Sequence, residues 1–231
     1  PLPESPHYHE RLEQQYLEYD PDLANGMLDE LGLERDGDGM RLRTDGEPVF
    51  IDVECIAAFE PWADIMGMVL SYWRDIGVDG AVKVIDRSLF YERREAYDHD
   101  CMVWTGHDAV NCLMRPQNYM PFIVPSTFGA AWADWWNTGG EKGEEPPEPA
   151  RRQQELYDQI KVTPDFEEQK ALMREILDIA ADQFWCMNIT RYYQAYGIVK
   201  NSFYNVPERM WEWHVSNAPG QTYPEQYFIE G

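Results

Sequence analysis

Between Pro48 and Trp104 the sequence changes period four times, and that alternation restricts the fold more than any other feature. Val49, Phe50, Ile51, Val53 and Ile56 crowd β-forming residues into Pro48–Ala57 and predict a strand. Ile65, Met66, Val69, Leu70, Trp73 and Ile76 then follow the helical period over Pro61–Ile76, which Gly77 ends. Ala81–Ile85 predicts a second strand, Ser88–Tyr97 a second helix and Cys101–Trp104 a third strand. Strand, helix, strand, helix, strand is the order of a parallel sheet whose crossover helices cover it, so the chain is expected to be α/β.

The flanks are punctuated less regularly. Pro1–Tyr19 carries little pattern and is expected to be a lead-in. Asp20 before Pro21 is an N-cap followed by Pro at the first helical position, with Leu23, Met27, Leu28 and Leu31 recurring up to Gly32. Pro116, Pro121 and Pro125 make 106–128 loop-like. Ala130–Trp136 predicts a short aromatic helix, 137–149 an exposed loop, and Ala150–Ile160 and Pro164–Asp182 two helices, the second capped by Thr163. Phe184–Ile189 and Tyr196–Val199 are further strand candidates. The run from Asn201 to Gly231 is rich in aromatics without a period.

Charge narrows the function classes. Forty-two acidic against 19 basic residues give a net charge of −23, a field that repels phosphate backbones and anionic lipid. No stretch approaches the ~20 apolar residues of a membrane helix, and the polar, Pro-rich start is not a signal peptide. Cys55, Cys101, Cys112 and Cys186 lack zinc-site spacing and read as buried free thiols, with a disulfide open in an oxidising compartment. Glu34–Asp45 has the acidic spacing of a calcium loop. Arg41 stands where that loop needs an apolar residue, so a hairpin turn is expected around Asp36–Gly39. No nucleophile elbow, zinc-protease helix or phosphate loop occurs, and nothing calls for a metal or cofactor.

Two places offer binding chemistry. Trp104, Thr105, His107 and Asp108 lie where the third strand should end, and ligands of open α/β sheets bind at the carboxyl ends of strands. An indole there supplies a stacking face, Thr105 and His107 hydrogen bonds, and Asp108 a charge. The alternative is a core Trp104 beside a surface turn. Trp132, Trp135 and Trp136 are spaced to lie near one helix face, either a core face or a cleft wall for sugar rings or apolar side chains. An acid/base hydrolase using Asp108 or Asp100 with His107, or a protein-docking domain with an aromatic face, are the rival readings.

Tyr19–Ala24, Leu28–Leu33 and Asp36–Arg41, followed by Asp75–Val78, Leu89–Arg93, Tyr97–Asp100, Arg151–Tyr157, Glu167–Ile176 and Pro224–Phe228, resemble in order and spacing the family 5 extracellular solute-binding proteins. Those are the peptide-, nickel- and oligosaccharide-binding components of ABC importers. The resemblance implies a lobe of the type II periplasmic-binding-protein-like fold, a mainly parallel or mixed sheet flanked by helices. It implies that the chain is a C-terminal fragment: 1–19 a lead-in, 20–200 the lobe, and 201–231 a tail returning to a missing N-terminal lobe. It further implies a periplasmic or extracellular protein, membrane-associated only through its importer. Such a protein takes an oligopeptide or oligosaccharide, catalyses nothing, and hands its solute to ABC permease subunits. Asp108 sits near the place where peptide-binding members hold the ligand's amino terminus.

Overall fold

The β-branched and aromatic run before Ala57 does form a strand, β1 (Phe50–Ile56), and it becomes the centre of a three-stranded parallel sheet. The computed structural model describes residues 1, 3–59, 61–106, 112–189, 196–209 and 222–229. Along β1 lie β2 (Asp79–Ile85), in register from Phe50 opposite Asp79 to Ile56 opposite Ile85, and the short β3 (Cys101–Met102), which pairs with Val53 and Glu54. The order β2-β1-β3 means the chain steps to one side of β1 and then crosses back to the other. Crossovers in opposite directions put their helices on opposite faces, because each keeps the same hand.

Side-chain alternation along β1 serves both faces. Val53 and Cys55 point to α3 (Trp62–Asp75) and form a core with Met66 and Leu70, flanked by Val69, Trp73 and Val82. Glu54 points to the other face, where α4 (Arg87–Glu95) covers it. Asp86 caps α4 by accepting the Ser88 N–H at 2.7 Å. The predicted sheet, its parallel sense and both crossover helices are therefore present.

Upstream, α1 (Glu10–Gln14) and α2 (Pro21–Glu30) precede an antiparallel hairpin. Asp20 caps α2 at the Leu23 N–H, 2.9 Å. Arg35 and Arg41 bridge across the hairpin, and Asp36 accepts the N–H groups of Asp38 and Met40 at 2.9 and 2.8 Å. The acidic run is thus a turn closed on its own backbone. Arg41 is buried, and its guanidinium reaches Asp29, the Asn25 side chain at 2.9 Å, the Leu33 carbonyl at 2.8 Å and the Ile76 carbonyl at 3.3 Å. Gly77 has a φ of 88°, and a Cβ there would lie 2.8 Å from the Gly39 carbonyl, so only glycine lets α3 end this close to the hairpin.

A second core lies downstream. The helices α5 (Ala130–Thr138), α6 (Glu148–Val162) and α7 (Phe166–Gln183) gather Cys112, Met120, Leu156, Tyr157, Ile160, Met173, Ile176 and Leu177. Two adjacent buried glutamines tie the Pro-rich segment to it. The Gln153 amide donates to the carbonyls of Tyr119 (2.8 Å) and Ile176 (3.0 Å), and the Gln154 amide to those of Pro121 and Trp132, both at 3.1 Å. The lead-in is anchored as well. His9 is buried, its Nδ1 accepts the Leu12 N–H at 3.2 Å, and its Nε2 therefore carries the proton donated to Asp178 of α7 at 2.8 Å.

Three local expectations are corrected. Asp165, not Thr163, caps α7, accepting the Glu168 N–H at 2.9 Å. Phe184–Ile189 forms no strand: Phe184 is the left-handed C-cap of α7, with φ 51°, and the chain from Trp185 to Ile189 is irregular. Tyr196–Val199 is not a strand either; among the described residues beyond it, β4 (Phe203–Tyr204) and β5 (Phe228–Ile229) form an antiparallel pair.

All four cysteines are free thiols. Burial pushes Cys112 up to about 12 and, as the largest cause, Cys55 and Cys186 to about 11. The neutral thiol is the form the fold accepts. An unfolded thiol ionises near its ordinary value, so this contribution is complete below that value. It is lost as pH rises toward the folded one, at about 1.4 kcal/mol per pH unit for Cys112. Native protein at pH 8 is expected to react with an aromatic disulfide reagent at Cys112 only through unfolding. Labelling at the rate of an exposed thiol would contradict that packing.

Candidate functional site

Four elements converge at the carboxyl edge of the sheet. β1 runs into Phe59, α3 begins at Trp62, α4 contributes Phe90 and Tyr91 from its first turns, and β3 leads into Trp104. Phe59 and Trp62 stack at 4.4 Å between centroids, and Trp104 meets Phe59 edge-on at 5.9 Å and lies along Phe90 at 5.5 Å. Tyr91 approaches Trp104 at 5.8 Å. The Arg87 guanidinium stands over Phe59 at 5.0 Å and over Trp104 at 6.0 Å, a cation held against two ring faces. This cluster joins flat apolar surface to a positive charge in a strongly acidic chain.

Trp104 and Thr105 are half-buried at this edge; His107 and Asp108 lie outside the described residues. Trp132, Trp135 and Trp136 part company. Trp132 packs edge-on against Trp185 at 5.3 Å, and Trp135 abuts Gly140. Trp136 turns into the second core, donating its indole N–H to Asp158 at 3.2 Å beneath the Lys161 ammonium at 4.9 Å. Asp100 accepts the Asp52 N–H at 3.1 Å and so helps to align β1 with β3. Phe59, Trp62, Tyr91 and Arg87, all absent from the sequence-based site, belong to the cluster. Their only sequence signal is a place at element ends on one edge of a parallel sheet.

Beside Trp104, on the α4 side, a cavity of about 30 Å³ opens between α4 and the segment leading into α5. Phe90, Arg94, His99, Met102, Ser126 and Ala130 are among its lining residues. Glu54, buried in the same face of the sheet, accepts from Arg93 at 2.6 Å. Among the described residues, no group of three or more His, Cys, Asp or Glu side chains is arranged to hold a metal ion, and no helix is long and apolar enough to cross a membrane.

Comparison with known proteins places this architecture. The profile of the bacterial extracellular solute-binding proteins, family 5, middle region, matches residues 1–127 of the 231. No curated protein matches significantly. Among solved structures, an oligopeptide-binding protein, OppA, is 34% identical over 98% of this chain and 38% of its own, with a TM-score of 0.75. The fold is shared by a mannohexaose-bound periplasmic oligopeptide-binding protein from Thermotoga maritima, 17% identical over 80% of this chain and 33% of its own (TM-score 0.57). It is shared too by the periplasmic binding protein MelB from Agrobacterium fabrum C58 in complex with stachyose, 14% identical over 73% of this chain and 25% of its own (TM-score 0.59). The chain thus spans about two fifths or less of the length of the proteins it matches.

Proposed function

The chain belongs to the family 5 bacterial extracellular solute-binding proteins, and from that membership we propose that it is one lobe of a periplasmic or extracellular receptor that carries an oligopeptide or oligosaccharide to the permease of an ABC importer. The observation that carries the reading is the aromatic cluster of Phe59, Trp62, Phe90, Tyr91 and Trp104 with Arg87 at the carboxyl end of the parallel sheet. Ligands of open α/β sheets bind at that edge, and rings with a nearby cation suit either sugar faces or peptide side chains and carboxylates. The structures related to this chain include an oligopeptide-binding protein and proteins holding mannohexaose and stachyose.

In this reading 20–200 form the lobe, and 201–231 return toward a second lobe that completes the cleft. The solute is carried unchanged. Closure of two lobes around it excludes water and creates the surface that the permease reads. With half the contacts on another lobe, the isolated chain binds weakly.

A thermal-shift screen of this chain against di- to oligopeptides and oligosaccharides tests the proposal, because a solute that binds only the folded state raises the melting temperature. Trp104→Ala is expected to weaken the binding of a hit by roughly tenfold or more while leaving the circular dichroism spectrum unchanged. Unchanged affinity in that variant removes the cluster from the site.

A further inference from the structure

The small cavity beside Trp104 presents hydrogen-bond donors and a cation, and among the described residues that line it there is no carboxylate. That is a pointed omission in a chain where 42 of 231 residues are acidic. Two of its polar atoms, Arg94 Nε and His99 Nδ1, are buried without a hydrogen-bond partner. A charged guanidinium nitrogen left this way is costly, and the cost is recovered when an acceptor arrives. Burial is the largest influence on Arg94 and holds it below the ordinary arginine value.

Ser126 sharpens the picture. It is buried, and its Oγ accepts the N–H groups of Phe122 and Ile123, both at 3.0 Å. With its lone pairs engaged, the hydroxyl has only its proton left to offer. Ala130, at the start of α5, adds the positive end of a nine-residue helix whose N-cap, Gly129, has no capping side chain. Phe90 and Trp104 are common to this cavity and to the aromatic cluster. Its volume of about 30 Å³ has room for about two water molecules. One carboxylate group has similar bulk, whereas a sugar ring is far too large.

We propose that Arg94, His99 and Ser126, together with the start of α5, form a binding site for a single carboxylate group, seated beside the aromatic cluster. What that carboxylate belongs to rests on the solute-binding reading above: it is either an end or side chain of the solute, or a small free carboxylate. The site favours acidic solutes over neutral oligosaccharides, whose hydroxyls cannot neutralise Arg94.

Calorimetric titration of this chain with sodium acetate, at fixed ionic strength and against acetamide, reads the site directly. Saturable binding of acetate with none of acetamide is expected, weakened roughly tenfold or more in Arg94→Gln, since a charge-assisted hydrogen bond is lost. Equal responses to acetate and acetamide in the unaltered chain overturn the proposal, whatever the variant does. Peptides with free and amidated carboxyl ends then separate the sources. A preference for the free carboxylate that disappears in Arg94→Gln assigns the site to the solute, while acetate binding without any peptide or sugar binding keeps the site and rejects the receptor reading. Peptide binding that is indifferent to amidation, to acidic side chains and to Arg94→Gln keeps the receptor and rejects the site.

Discussion

Arg41→Met is expected to lower the unfolding free energy by about 3–4 kcal/mol, in the range for stripping one member from a buried, hydrogen-bonded charge cluster. Its guanidinium gathers Asp29, the Asn25 side chain and the carbonyls of Leu33 and Ile76. The last turns of α2 and α3 are held against the hairpin here, and Arg35 adds a second hold on the Asn25 side chain at 2.7 Å. Methionine fills most of the volume and supplies no donors, so the carbonyls lose their partners. Asp29 is largely exposed and rehydrates, which keeps the cost from going higher. Denaturant unfolding followed by tryptophan fluorescence measures it; a change below about 1 kcal/mol would mean that water replaces the guanidinium freely.

Gln153→Leu is the second large effect, expected at about 2–4 kcal/mol. The side chain is fully buried in α6, and its amide bridges the Tyr119 and Ile176 carbonyls. Leucine has similar bulk and no donor, so the Tyr119 carbonyl loses this hydrogen bond and the Ile176 carbonyl keeps only its partner within α7, each lost bond costing about 1–2 kcal/mol. The Pro-rich segment around Tyr119 should loosen first, since Ile176 keeps its place within α7. Hydrogen exchange resolves the two. Uniform deprotection of α6 and α7 with no extra change near Tyr119 would show that the glutamine holds the helix pair and not the segment.

The parallel sheet was legible because its evidence is local. β-Branched residues crowd into β1, the α3 period is strict, and Gly77 marks the break. The site was only partly legible, for a topological reason. Trp104 could be found at the end of a strand, but Phe59, Trp62 and Tyr91 meet it only because parallel strands bring their carboxyl ends to one edge. Helical spacing put Trp132 and Trp136 near one face of α5, yet that face spans two surroundings, Trp185 at one end and Tyr157 at the other. Spacing reports direction around a helix axis, not what lies beyond it. His9 left no trace in the pattern around it, since its partner Asp178 is 169 residues away. Arg94 and His99 look like ordinary surface residues in sequence and are exceptional only for the acceptors they lack.

The separation of His9 from Asp178 has a kinetic meaning. The two cores draw on separate stretches, 51–103 and, apart from Leu12, 112–179. Each can condense by closing modest loops, as fast-folding units do. Joining His9 to Asp178 from an open chain would instead cost about 4–5 kcal/mol in closure entropy. Once both cores stand, most of the intervening chain is already fixed and the cost shrinks. The amino-terminal segment is therefore the last part to settle in folding and the first to let go, a latch set upon a finished body rather than a piece of its nucleus.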